Sequence, residues 1–166
     1  RRRGDGSGIK DVWYLEPPTP GLRTAAVDIA ADAAGKVWLR LSRIFRDNTG
    51  SVQFLARFDP DTGQFTEFKS ITYKTPNGTG VTYGAAADRD GNGWWAEMVL
   101  DIIGKGNMAT GKAEEVRLAP VKAELDRITP EGKKFFETYN QPDFNSPMPW
   151  AQGPRRMGTD KADDVL

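Results

Sequence analysis

Phe65-Thr66-Glu67-Phe68 alternates apolar and polar positions, the period of a strand with one face turned inward. Twice along the chain a run of small residues leads to an acidic turn and then to aromatics. One copy is Val27-Asp28-Ile29-Ala30-Ala31-Asp32-Ala33-Ala34-Gly35-Lys36-Val37-Trp38-Leu39. The clearer copy runs from Tyr83 through Ala85-Ala86-Ala87-Asp88-Arg89-Asp90-Gly91-Asn92-Gly93-Trp94-Trp95 to Glu97 and Met98. Asp-x-x-Gly supplies a tight turn in which glycine takes the left-handed position. The small residues before it suit a crowded inner strand, and the aromatics after it suit a buried second strand.

Each copy continues into a second shared block. Phe58-Asp59-Pro60-Asp61-Thr62-Gly63 through Phe68 matches Gly106-Asn107-Met108-Ala109-Thr110-Gly111 through Val116. Asp/Asn-x-x-Thr-Gly makes another turn, and an outer strand closes the unit. Four short strands in roughly 45 to 55 residues is the size of one propeller blade. The expected fold is therefore all-β: a partial β-propeller of about two complete blades with pieces of two flanking blades. The full ring is expected to have six or seven blades.

The expected division of the single domain follows. Residues 1–20 are the outer part of a preceding blade, with a turn at Asp5-Gly6-Ser7-Gly8 and a crossing at Pro17–Gly21. Residues 21–75 and 76–120 are blades, and 153–166 restart the unit as the inner strand of a next blade. The first blade carries about eight extra residues around Leu41 to Phe54, expected as a longer strand-to-strand loop. Residues 121–152 interrupt the rhythm. There Thr129-Pro130 reads as the N-cap and first residue of a short helix, whose Phe135, Phe136 and Tyr139 form an apolar patch. Pieces of blade at both ends lead to the expectation of a fragment of a longer protein, or of a ring completed by other chains.

Composition narrows the chemistry. Basic and acidic residues balance at 23 each, which argues against a nucleic-acid partner. Cysteine and histidine are both absent, so no thiolate or imidazole is available for catalysis or for metal binding. No apolar stretch approaches the ~20 residues of a membrane span, and the first residues lack the apolar core of a signal peptide. Localisation is open, leaning periplasmic or secreted.

The second unit resembles the repeat of the virginiamycin B lyase (streptogramin lyase) family. The resemblance is carried by Tyr83-Gly84, Asp90-Gly91-Asn92, Trp94-Trp95-Ala96-Glu97, Ile102-Ile103-Gly104-Lys105, Thr110-Gly111 and Glu115-Val116-Arg117-Leu118-Ala119-Pro120. It implies a propeller and a magnesium-dependent lyase that opens cyclic depsipeptides by eliminating across an ester. A base removes the α-proton while the metal stabilises the enolate. The family's catalytic histidine precedes the glycine of an inner strand, and the equivalent positions here hold Val27, Tyr83 and Arg155. No catalytic residue is carried over, no metal ligand is assigned, and magnesium remains an implication of the resemblance alone.

The candidate ligand-binding residues are Tyr83, Glu97 and Arg155, on the face where inner strands begin. Glu97 is expected either to hold neighbouring groups of the protein or to meet a ligand. Arg155 and Arg156 suit an anion, or a carboxylate of the protein itself. Asp101 reads as a loop-turn residue, and Asp59 and Asp61 as an ordinary turn in preference to a calcium loop. Three functions are open. One is a scaffold that binds a small molecule or protein partner at the propeller face. The others are the lyase and a gluconolactonase-like lactone hydrolase with a central calcium.

Overall fold

The computed structural model describes residues 2–3, 11–12, 22–45, 51–71, 82–98, 100–139 and 148–166. The turn expected at Asp5–Gly8, the Pro17–Gly21 crossing, residues 140–147 and the Tyr139 side chain lie outside them. A short antiparallel ladder joins β1 (Arg2–Arg3) to β2 (Asp11–Val12). Two four-stranded antiparallel meanders follow. The first holds β3 (Leu22–Ala31), β4 (Val37–Phe45), β5 (Ser51–Asp59) and β6 (Gln64–Lys69). The second holds β7 (Thr82–Ala87), β8 (Gly93–Glu97), β9 (Ile102–Asn107) and β10 (Lys112–Arg117). The sheets stack face to face with their first strands adjacent, and the Asp28 carboxylate of β3 accepts a 2.9 Å bond from the Ala85 amide of β7. Consecutive meanders stacked in this way are successive blades of a propeller.

The aspartate turns explain why the strands reverse where they do. Asp32 Oδ1 accepts from the amides of Ala34 and Lys36, and Asp88 Oδ1 from those of Asp90 and Asn92. Gly35 and Gly91 take the left-handed position with φ of 72° and 76°. The other carboxylate oxygen of each aspartate accepts from the indole six residues on, Trp38 or Trp94, so the turn also aims the first aromatic. Asp160 makes the same turn a third time, accepting from Ala162 and Asp164. A single Thr159–Val165 bridge closes it. Asp163 there holds φ of 57°, where the other two turns have glycine. An L-residue other than glycine is strained in that region by roughly 1–2 kcal/mol, less for aspartate. Asp163→Gly should therefore tighten the hairpin by about 0.5 kcal/mol, seen as slower hydrogen exchange at the Gly158 and Leu166 amides. Unchanged exchange would show that Asp163 bears no such strain.

The extra residues of the first sheet do not make a long loop. They lengthen β4 and β5, whose ladder continues through Leu41–Phe54 and Ser42–Gln53 to Ile44–Ser51. Ladder pairing satisfies backbone groups that a loop would leave to solvent, and Leu41 and Phe54 are buried.

Between the sheets lies one core of Trp38, Leu55 and Phe68 against Ala85, Ala87 and Trp95. Its tight fit depends on a cross-strand glycine pair, Gly93 and Gly106. The Trp38 ring lies where a Gly93 side chain would begin, and a Cβ on Gly106 would come within 2.7 Å of the Phe68 ring. The two aromatics of the first sheet thus lie flat on bare backbone of the second, with Trp38 and Phe68 5.8 Å apart between centroids.

Residues 121–152 contain a short helix that the sequence did not suggest, α1 (Lys122–Leu125), and the expected one, α2 (Pro130–Tyr139). Thr129 Oγ1 caps α2 by accepting from the Gly132 amide. Phe136 packs edge-on to the buried Trp150, whereas Phe135 is largely exposed.

Candidate functional site

The end of the stack where β3 and β7 begin gathers most of the residues singled out in the sequence. Tyr83, on β7, is 37% exposed. Beside it Gly84 turns to φ of 56°, and the backbone of 155–157 runs directly against it. A Cβ on Gly84 would come within 2.9 Å of both the Arg155 carbonyl oxygen and the Met157 nitrogen. Only glycine permits this approach, and it sets Tyr83 and the exposed Arg155 and Arg156 on adjoining stretches of backbone.

Asp101 fixes the segment that carries Arg155. Its carboxylate accepts from the amides of Gln152 (3.0 Å) and Gly153 (2.8 Å), and its carbonyl from the Leu118 amide (2.7 Å). The residue holds φ of 53°, so this loop position is also a clamp. The Val121 amide bonds to Trp150 O, and Gln152 Nε2 to Ala119 O, which closes the neck of the 121–152 excursion.

Glu97 pairs with Thr82 across the ladder, one residue from Tyr83, but its side chain turns inward between the sheets and is 0% exposed. Oε1 accepts from Trp95 Nε1 at 2.8 Å, and Oε2 has no hydrogen-bond partner among the described residues. Burial pushes the Glu97 carboxyl above the usual carboxylate range. The Ser70 hydroxyl and the Trp95 indole oppose that rise, and the neighbouring Glu115 carboxylate adds to it. Glu115 itself accepts from the Ser70 hydroxyl (3.0 Å) and the Ile71 amide (2.6 Å), tying β10 to the end of β6. Neither Ser70 nor Glu115 was legible as a partner of Glu97, because the three meet only when one sheet is laid on the other. Nearby, the buried Arg40 donates from Nε to the Thr82 carbonyl.

The other acidic candidates have structural partners. Lys36 Nζ bridges Asp59 (2.8 Å) and Asp61 (2.6 Å). Among the described residues no three carboxylate side chains converge in a way that could hold a metal ion. No helix among them is long and apolar enough to cross a membrane.

No family model and no curated protein matches the chain. Among solved structures, it is similar to one described as a streptogramin B lyase, with 16% identity and a TM-score of 0.41 over 91% of this chain and 49% of that one. It is also similar to the virginiamycin B lyase from Staphylococcus aureus, with 19% identity and a TM-score of 0.34 over 87% of this chain and 66% of that one. The chain thus spans about half of the first structure and just under two thirds of the second.

Proposed function

We propose that the chain is a binding scaffold, an arc of propeller that takes an anionic group of a small molecule or protein segment beside Tyr83 and Arg155. The observation that supports this reading is the backbone contact at Gly84, which brings the stretch carrying the exposed Tyr83 against the stretch carrying the exposed Arg155 and Arg156. Arginine meets carboxylate or phosphate through two parallel hydrogen bonds, and a tyrosine ring adds a flat apolar surface with a polar tip. Asp101 holds the arginine-bearing segment in place from below. The Glu97 carboxylate is enclosed between the sheets. The lyase reading would need an imidazole base supplied from outside these residues, which contain no histidine.

Benzoate and inorganic phosphate are suitable probes, followed by the amide shifts of residues 83–85 and 155–157. Arg155→Ala should weaken binding of either probe about five- to tenfold, and Tyr83→Ala should weaken benzoate more than phosphate. If neither probe shifts those amides at ~10 mM, the anion reading fails.

A further inference from the structure

We infer that a small monocarboxylate with a short apolar tail binds in the groove between the two sheets, at the end where β3 and β7 finish. That end is opposite to Tyr83, so the inference is independent of the anion reading there. The aspartate turns of successive sheets, Asp32 to Lys36 and Asp88 to Asn92, lie side by side at this end. The β9–β10 turn joins them through Met108. Between the turns is a cavity of about 440 Å³, lined by Ala33, Ala34, Arg57, Arg89, Asp90 and Met108.

Arg57 gives this cavity its chemistry. Its Nε donates to Asp32 Oδ2 at 3.2 Å, and its guanidinium lies over the Trp38 ring, 6.0 Å from the centroid. Asp32 is itself buried and fixed by the amides of its own turn, so the guanidinium is held along one edge and one face. Its Nη nitrogens have no acceptor among the described residues. The indole alone does not require them. At the matching position of the second sheet Lys105 covers Trp94, 5.1 Å from the ring centroid. A lysine thus suffices to cover an indole, whereas a guanidinium adds a planar pair of donors spaced for a carboxylate. Donors ordered before the ligand arrives spare part of the entropic cost of binding.

The rest of the lining selects among anions. Ala33, Ala34 and Met108 offer methyl and thioether surface to a short alkyl tail. Arg89 brings a second guanidinium from the facing sheet, with one nitrogen engaged by Asp164. The exposed Asp90 and the Asp32 carboxylate behind Arg57 oppose a second negative charge, which favours a singly charged carboxylate over a phosphate dianion.

Butyrate, acetate and inorganic phosphate, titrated separately into the 166-residue chain and followed by amide shifts, test the site. Butyrate should shift the amides of residues 33–36 and 89–91 with a dissociation constant of about 5 mM. Acetate should bind about three- to fivefold more weakly, and phosphate more weakly still. Ala34→Glu, at an exposed turn position, sets a carboxylate against the incoming one and should weaken butyrate by about tenfold or more at unchanged Tm. Arg57→Lys keeps a cation over Trp38, as Lys105 does over Trp94, and should cost about five- to tenfold through the lost pair of donors. The site is refuted if butyrate at ~50 mM leaves those amides unmoved, if phosphate binds more tightly than butyrate, or if either variant binds butyrate as wild type does. Shifts confined to residues 83–85 and 155–157 would overturn it too, and would leave the reading of the opposite end standing.

Discussion

Trp38→Ala should lower the unfolding free energy by about 3–5 kcal/mol, the largest single loss expected from this chain. The indole is fully enclosed, touches both sheets and donates to Asp32 Oδ2, so truncation opens a cavity and removes one of the two donors on that oxygen, leaving Arg57 Nε as the other. Gly93→Ala attacks the same contact from the other side. Its new methyl group would occupy space held by the Trp38 ring, and neither sheet can retreat without parting the core, so a cost of about 1–3 kcal/mol or more is expected. The decisive measurement is the double-mutant cycle in urea. In the Trp38→Ala background the methyl of Gly93→Ala has room, and its cost should fall to a few tenths of a kcal/mol. Additive losses would mean that the glycine is required for its backbone alone, and that the sheets are not fastened by an aromatic ring lying on bare backbone.

The contact also shows which features were legible in the sequence. Asp32, Gly35 and Trp38 recur as Asp88, Gly91 and Trp94, because each turn is a local device whose donors, acceptor and left-handed residue lie within seven positions. The all-β meanders follow from those turns. Gly93 and Gly106 stood in the repeat with no visible reason, since their function is to make room for Trp38 and Phe68 of the preceding sheet. Sheet-to-sheet register is not a local property, and alternation alone cannot supply it. The same limit applied at the site. Glu97 stood out through the family resemblance, but its burial and its approach to Ser70 and Glu115 depend on two sheets meeting. Gly84 was noted as a motif residue, whereas its use, admitting the backbone of 155–157 beside Tyr83, came from a segment some seventy positions on. The extra residues of the first sheet were placed in a loop because an insertion between strands has no length signal to distinguish a longer loop from a longer ladder.

Glu97→Gln should stabilise the chain, and by an amount that grows with pH. The buried carboxyl holds its proton to higher pH than an unfolded glutamate does, first because of burial and then because Glu115 lies close. Below the unfolded value both states are protonated, and Glu97 carries no penalty. As pH rises past that value the unfolded chain releases the proton while the folded chain keeps it, so stability falls. The loss levels off once pH exceeds the raised folded value. Glutamine stands in for the neutral acid, and its oxygen can accept from the Trp95 indole as Oε1 does. Wild type and variant should therefore be nearly equal in stability near pH 4 and differ by about 1–3 kcal/mol near pH 8, in favour of the variant. Carboxylates remote from Glu97 cancel from the difference. Urea unfolding at several pH values gives the comparison directly. A difference that stays flat with pH, or a variant less stable at pH 8, would show that ionised Glu97 is satisfied where it lies. The carboxylate would then be a true strut between the sheets, and not a buried acid kept neutral by its surroundings.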